Sequence, residues 1–198
     1  MLVLGLTGNI GCGKSSLSNI FRNNNIEVID ADIISRHIFE DKNLLKVVFN
    51  IFGEDIKNND GTLNRKKLGN IVFNDNDKLK KLNSLTHPKI REKIIENIKK
   101  FDNKKIIIID GALLIEAKFL DLVDKLIVIT CEENQQILRI MNRDKCSIDE
   151  AINKISSQMK QEDKIKYADY IIDNSSNITK LQYEANKLIN YIKENWCD

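Results

Sequence analysis

The feature that most restricts the fold of this chain is a phosphate-loop pattern within its first fifteen residues. Gly8, Gly13, Lys14 and Ser15 match the spacing G-x-x-x-x-G-K-[ST]. An apolar run precedes the pattern and a stretch with helical spacing follows it, which is the strand–loop–helix context that the motif requires. Because the pattern fixes four positions after the first apolar run, it favours a nucleoside triphosphate site over a glycine-rich turn that merely caps a helix.

The parts of this loop have distinct expected tasks. Glycines let successive backbone N–H groups point inward and cradle phosphate oxygens, and the positive end of the following helix adds to that attraction. Lys14 would reach the β- and γ-phosphates, and the Ser15 hydroxyl would bind the Mg²⁺ that accompanies them. The predicted nucleotide-binding residues of the loop are Gly8, Asn9, Ile10, Gly11, Cys12, Gly13, Lys14, Ser15 and Ser16.

Length, charge and cysteine usage narrow the class of protein. A chain of 198 residues suits a single domain, with room for insertions. A formal net charge of +2 gives no global field that would attract nucleic acid or a membrane. The four cysteines are scattered without zinc-ligand spacing, which is typical of free thiols in a reducing cytosol. We see neither a leader segment nor an apolar stretch of ~20 residues, so we expect a cytoplasmic protein.

Five apolar runs predict the strands of a sheet. The run Lys105 to Ile109 is continuously apolar after its first residue, which is typical of a strand buried on both faces of a parallel sheet. The other four predicted strands are Leu2 to Leu6, Ile26 to Ile29, Leu126 to Thr130, and Tyr167 to Asp173.

Carboxylates follow two of these strands. Asp110 ends the third predicted strand, and Asp30 and Asp32 follow the second. Open α/β sheets bind ligands at the carboxyl ends of their strands, so these side chains are candidates for site residues. With a phosphate loop upstream, Asp110 is a candidate for the metal shell; the alternative is an Asp that only caps the next turn.

The stretch from residue 33 to residue 100 contains no convincing strand. Its helical spacing predicts several helices, broken at Gly53, at Asp60-Gly61 and at Pro88. Such an excursion between two strands indicates an inserted substrate-binding subdomain. Within it, His87 and Arg91 lie four residues apart on one helical face. They allow two interpretations: an ordinary helix start at Pro88, or a site for an anionic ligand.

A second pair of cations follows the fourth predicted strand. Gln135, Arg139 and Arg143 are spaced four apart and therefore share a helical face. In a phosphate-loop protein, arginines on a mobile helical segment can close over transferring phosphates. The alternative is a solvated charged face.

Taken together, these motifs resemble the dephospho-CoA kinase family over the whole chain. The Asp-Ala-Asp and Thr-His-Pro segments are more specific to that family than the phosphate loop, which many kinases share. The stretches that carry the resemblance are Gly5 to Ser15, Asp30-Ala31-Asp32 with Arg36, Leu85 to Pro88 with Arg91, Asp110 with Leu113-Leu114 and Glu116, Gln135 to Asp144, and Ala168 to Asn174.

The resemblance implies a three-layer α/β P-loop fold of the nucleoside-monophosphate-kinase type. Its five-stranded parallel sheet would have the strand order 2-3-1-4-5. The chain would be one kinase domain, 1–198, made of a core (1–31, 105–131 and 167–198), a helical CoA-binding insertion (32–104) and a helical lid (132–166).

The same resemblance implies that the chain uses ATP and Mg²⁺ to phosphorylate the ribose 3′-hydroxyl of dephospho-CoA. Asp32 would be the catalytic base, with Asp30 as its rival and a helix cap as the structural alternative. Lys14 and Arg139 would also be catalytic. Besides the loop, Arg139, Arg143 and Asn174 would bind ATP; Asp32, Arg36, His87, Arg91, Leu113 and Glu116 would bind the acceptor; and Ser15 and Asp110 would hold the metal.

Two rival functions remain open at this point. Another small-molecule or nucleoside monophosphate kinase would share the phosphate loop, Asp32 and the two arginines but would not need His87 and Arg91. A non-catalytic GTPase-like switch would read guanine with Asn-Lys-x-Asp, and no such motif follows the fourth predicted strand. The expected partners are ATP and dephospho-CoA, with no nucleic acid or membrane, in a monomer or weak homo-oligomer.

Overall fold

The computed structural model of the chain describes residues 1–197 and alternates strands with helices. The strands are β1 (Leu2–Thr7), β2 (Glu27–Asp30), β3 (Ile106–Asp110), β4 (Lys125–Thr130) and β5 (Tyr170–Asp173). The helices are α1 (Lys14–Asn23), α2 (Ala31–His37), α3 (Lys42–Phe52), α4 (Arg65–Phe73), α5 (Asn76–Lys100), α6 (Glu133–Asp144), α7 (Ile148–Ser156), α8 (Gln161–Ile165) and α9 (Ile178–Asn195).

The five strands form one parallel sheet in the order β2-β3-β1-β4-β5. This confirms the predicted α/β fold class and the strand order that the resemblance implied. Because all strands run the same way, their carboxyl ends meet at one edge of the sheet. There Asp30 lies in register with Asp110, and Thr130 with Asp173. The fifth strand is shorter than predicted, since it begins at Tyr170 rather than Tyr167.

The sheet is buried on both faces. Ile108 and Ile127 belong to an apolar cluster with residues of α1 and α9, so these two helices cover one face. Ile107 and Ile109 alternate with Ile108 along β3 and are also fully buried, which places them on the opposite face. Burial on both faces is the reason that β3 is a continuous apolar run.

The chain divides into two compact units. One contains Met1–Asp30 and the chain from Asn97 onward, and it includes the whole sheet. The other, Ala31–Glu96, holds α2, α3, α4 and most of α5. Asp41 accepts hydrogen bonds from the N–H groups that open α3, and Asn64 does the same for α4.

The predicted break at Pro88 is wrong, and so is the helix start proposed there. Pro88 lies inside α5, a continuous helix of 25 residues. A proline in a helix interior costs about 3 kcal/mol, since one hydrogen bond is lost and the ring crowds the preceding turn. Thr86, Ile90 and Ile94, which follow one another at four-residue spacing, are buried, and the burial of this stripe offsets that cost.

Within residues 1–197, the structure contains no helix that is both long and apolar enough to span a bilayer.

Candidate active site

The loop between β1 and α1 has the geometry of a phosphate cradle. Gly13 takes left-handed backbone angles (φ 90°, ψ 25°) immediately before α1 begins at Lys14. A Cβ atom at Gly13 would lie 2.2 Å from the Asn174 amide nitrogen, and one at Gly8 would lie 2.5 Å from the Ile129 carbonyl oxygen. Neither position has space for a Cβ atom, so both require glycine. Gly13 also requires it for its left-handed backbone angles.

Lys14 forms a partly buried ion pair at the carboxyl end of β3. Its Nζ atom donates to Asp110, and Ser18, one helical turn further along α1, donates its hydroxyl to the other oxygen of Asp110 at 2.5 Å. Asp110 is only 2% exposed. Burial raises the pKa of the Asp110 carboxyl, and the charge of Lys14 and the hydrogen bonds from Lys14 and Ser18 oppose that rise.

This donor set fits a magnesium ion that arrives with a nucleotide. No group of three or more His, Cys, Asp or Glu side chains that could hold a metal occurs in the part of the chain that the structure describes. Mg²⁺ is usually held by one or two carboxylates together with water and substrate phosphates, so a dedicated protein cage is not needed. Asp110 and the exposed hydroxyl of Ser15 supply oxygen ligands of the required kind.

Arg139 is docked on the loop rather than solvated. Its Nη2 atom donates to the carbonyl oxygens of Asn174 (2.9 Å) and Ser176 (3.2 Å). Its Nη1 atom donates to the Gly11 carbonyl oxygen at 3.4 Å and to the Cys131 sulfur at 3.3 Å. Asn174 in turn donates its side-chain amide to the Cys12 carbonyl oxygen at 2.8 Å. Arg139 and Asn174 thus hold the same stretch of the loop.

Arg143 has a different environment although it lies on the same helix. It is exposed and donates to both oxygens of Asp144, at 2.7 and 3.2 Å. Lys154 on α7 also donates to Asp144, at 2.6 Å. These contacts resemble the solvated charged face that was the alternative for both arginines.

The segment after Asp110 is held by a fully buried lysine. Lys164 is 0% exposed, donates to the Ala112 carbonyl oxygen at 2.6 Å and lies 3.0 Å from Oε1 of Glu116. Oε2 of Glu116 is buried without a hydrogen-bond partner among residues 1–197. Leu113, the other predicted acceptor residue here, is 49% exposed.

Four further predicted acceptor residues lie in the helical unit. Asp32 is in the first turn of α2, and its carbonyl oxygen accepts a hydrogen bond from Ser35 at 2.8 Å. Arg36 is exposed in the last turn of the same helix. His87 and Arg91 are half-buried and one turn apart near the middle of α5, and burial lowers the pKa of His87. The argument from a helix start no longer applies to them.

Sequence reasoning missed several polar residues around the loop. Ser18 could have been found, since its position four residues after Lys14 puts both side chains on one face of α1. Gln136 follows Gln135, which lies on the predicted cationic face of α6, and its side chain is buried, with only 3% exposed. Gln158, in the connection after α7, and Gln161, the first residue of α8, contact the loop, and no sequence pattern indicated this.

The fold and the loop together define a class of protein. A parallel sheet in this order, with a phosphate loop after its first strand and a lysine–aspartate pair beside that loop, is the arrangement of P-loop kinases.

Comparison with known proteins identifies the family. The sequence model of the family described as Dephospho-CoA kinase matches residues 2–180. A relative from Lactobacillus johnsonii named Dephospho-CoA kinase is 40% identical over 192 residues, covering 96% of this chain and 97% of its own.

Solved structures agree with that result. The dephospho-CoA kinase from Campylobacter jejuni superposes with a TM-score of 0.72 at 34% identity over 97% of each chain. TT1252 from Thermus thermophilus gives a TM-score of 0.84 at 25% identity, covering 96% of this chain and 97% of its own. The chain belongs to the dephospho-CoA kinase family.

Proposed function

We propose that this protein transfers the γ-phosphate of ATP to the ribose 3′-hydroxyl of dephospho-CoA, the reaction that completes coenzyme A. The observation that carries the proposal is membership of the dephospho-CoA kinase family over nearly the whole chain. The geometry agrees with it, since a phosphate cradle lies beside a partly buried lysine–aspartate pair, in which the lysine can neutralise triphosphate charge and the carboxylate can bind a metal ion.

In this proposal the sheet-containing unit binds the donor. The loop backbone cradles the phosphates through N–H groups other than those of Ile10 and Cys12, which donate to Gln158 and to the Asn9 carbonyl oxygen. Lys14 leaves its pairing with Asp110 in part to neutralise charge that develops on the transferred group. Arg139 and Asn174 fix the loop from the side of β5. Asp110 and Ser15 would hold Mg²⁺, which neutralises phosphate charge when it is bound.

A second set of residues would bind and activate the acceptor. Asp32 would accept the proton of the 3′-hydroxyl and orient that oxygen in line with the γ-phosphate. His87 and Arg91 would bind anionic groups of the acceptor, with Arg36, Leu113 and Glu116 as further contacts. Because Glu116 lies against Lys164, we propose that it acts by shaping the segment after Asp110. Residues 132–166 would form the lid.

Two further attributes complete the proposal. All four cysteines are free thiols, which supports a reducing, cytosolic location. We also propose that the working form is a monomer or a weak homo-oligomer.

The choice of acceptor can be tested directly. Initial rates with ATP should be measured for dephospho-CoA, AMP, uridine and shikimate under the same conditions. We expect kcat/KM for dephospho-CoA to exceed that for each other acceptor by at least about a hundredfold, the discrimination available to a site built around several polar contacts. A comparable or higher value for AMP or shikimate would assign the chain to another kinase activity.

Arg91→Ala is expected to raise KM for dephospho-CoA by about ten- to a hundredfold with little change in kcat. A hydrogen bond to a charged group contributes about 1.5–3 kcal/mol, and a contact present in both ground and transition state affects KM alone. Lys89→Ala is the matched control, since Lys89 is an exposed cation on the same helix that pairs with Glu92. An unchanged acceptor KM in Arg91→Ala would remove the proposed role of α5.

The two arginines of α6 should separate in a parallel experiment. Arg139→Ala is expected to lower kcat/KM for ATP by about ten- to a hundredfold, because four acceptors on and around the loop lose their donor. Arg143→Ala should have a smaller effect, since Asp144 holds Arg143 at the surface. Steady-state kinetics with ATP as the varied substrate would measure both. Equal losses in the two variants would mean that Arg143 contacts the nucleotide when the lid closes.

A further inference from the structure

The outer side of the phosphate loop is held by a short segment within the proposed lid, to which the mechanism gives no separate task. The segment is Gln158 to Gln161, which leads from the connection after α7 into the first residue of α8; we refer to it as the clamp segment. The Ile10 backbone N–H donates to Gln158 Oε1 at 2.8 Å, and the Asn9 side-chain amide donates to the Met159 carbonyl oxygen at 2.9 Å. Two consecutive loop residues are therefore bound by partners almost 150 positions away in the chain.

The other end of the clamp segment is anchored to the sheet. Gln161 Oε1 accepts from the Cys131 backbone N–H at 3.0 Å, at the end of β4, and from the Cys12 thiol at 3.5 Å. The buried amide of Gln136 donates to the same oxygen at 3.2 Å and to the Cys131 carbonyl at 2.9 Å. Because one acceptor gathers donors from the loop, β4 and α6, the clamp segment has little freedom to move independently of the sheet.

These contacts matter because glycine-rich backbone is conformationally free. Residues 8–13 include three glycines, and ordering such a chain costs about 1–2 kcal/mol per residue in backbone entropy. A loop that is ordered before its ligand arrives does not pay that cost at the binding step. The Ile10 N–H shows the principle, since a side chain of the protein itself satisfies it.

We propose that the clamp segment is a positioning device that holds the phosphate loop in its triphosphate-binding shape before ATP binds, with Gln158 as its main positioning residue. The proposal rests on the proposed function only in that ATP is the ligand of the loop. Gln158 acts through the loop backbone and touches neither substrate.

The first test measures the loop without any substrate. Cys12 is 0% exposed, and burial raises the pKa of its thiol to about 12, so alkylation of Cys12 by N-ethylmaleimide should be slow in the native protein. In a Cys146→Ser/Cys197→Ser background, Gln158→Met should raise the rate of Cys12 alkylation by about three- to tenfold, the range that corresponds to one hydrogen bond. Peptide mass spectrometry separates Cys12 from the other buried thiol, Cys131.

Conservative and distant variants serve as controls. Gln158→Glu keeps an acceptor oxygen at the same reach and should alkylate as slowly as the parent protein. Gln182→Met removes an exposed glutamine from α9 and should change nothing. Gln158→Asn, which shortens the side chain by one methylene, provides a second loss-of-contact variant that remains polar if Gln158→Met is poorly folded.

The second test measures ATP itself. Gln158→Met should raise KM for ATP by about three- to tenfold, leaving kcat and KM for dephospho-CoA within a factor of two, because the lost order is needed for donor binding alone. Equilibrium binding of ATP gives the same test without turnover, so a failure of the acceptor assignment would not affect it.

Parent-like Cys12 alkylation and parent-like ATP affinity in both Gln158→Met and Gln158→Asn would overturn the proposal. Alkylation of Gln158→Glu as fast as that of Gln158→Met would also overturn it, because the acceptor oxygen would then be irrelevant.

Discussion

Replacing Lys14 with Met is expected to lower kcat for phosphate transfer by at least about a hundredfold. Removing one preorganised donor to developing charge costs other enzymes about 10²–10³ in kcat, and a lysine beside the transferring phosphate has that task. The measurement is single-turnover transfer from ATP to dephospho-CoA at saturating substrates. Retention of more than about a tenth of the parent rate would favour the alternative that the loop is only a glycine-rich turn that caps a helix.

The structure supplies a control that separates chemistry from folding. Lys14 pairs with buried Asp110, so Lys14→Met leaves a carboxylate without its cation and should lower thermal stability. The double variant Lys14→Met/Asp110→Asn removes both charges and should recover much of that stability. It should not recover activity. If activity returned along with stability, the effect of the single variant would be structural.

Asp32→Asn is expected to reduce kcat by about 10²–10⁴-fold while ATP binding remains within a factor of two of the parent. A general base contributes rate enhancement of that order, and asparagine keeps the size of the side chain while removing its charge. Asp32 lies in the first turn of α2, where a negative charge is worth only about 0.3–1 kcal/mol to the helix. The loss of activity should therefore far exceed the loss of stability.

Asp30→Asn is the matched comparison. Asp30 is the last residue of β2 and immediately precedes α2, so the helix-capping alternative fits Asp30 better than Asp32. Asp30 is also in register with Asp110, and its charge contributes to the raised pKa of that carboxyl. Near-normal turnover in Asp32→Asn together with collapse in Asp30→Asn would assign the base to Asp30.

Most of the sheet could be predicted from sequence because a buried strand requires a run of apolar residues. A strand covered on both faces must be apolar along its interior, as residues 106–109 of β3 and 126–129 of β4 are. β5 is a less regular case. Only residues 170–173 of the predicted run pair with β4, and Ile171 is 46% exposed although it pairs with Val128.

At Pro88 the prediction from sequence was wrong because burial outweighed a local rule. A local rule, that proline ends a helix, competes with tertiary burial of the stripe formed by Thr86, Ile90 and Ile94. The cost of one proline is smaller than the gain from burying several side chains along the helix. A single sequence does not reveal which side of that balance is larger.

The arginines of α6 show that residue spacing alone does not reveal which partners a side chain contacts. Arg139 and Arg143 are the same residue type on one helical face, and sequence reasoning assigned them one role. Arg139 donates to one carbonyl oxygen of the loop and to two that follow β5. Arg143 instead donates to its neighbour Asp144, which also accepts from Lys154. The partners that separate them come from a different helix and from the chain after β5. Gln158 was overlooked for the same reason.

The central claim is best tested by following the labelled phosphate. Purified protein, [γ-³²P]ATP, Mg²⁺ and dephospho-CoA should yield labelled coenzyme A and ADP in equal amounts, with the label on the 3′-phosphate and released by a 3′-nucleotidase. Release of label as inorganic phosphate without labelled coenzyme A, or a label that the 3′-nucleotidase cannot remove, would contradict the assignment of this chain as a dephospho-CoA 3′-kinase.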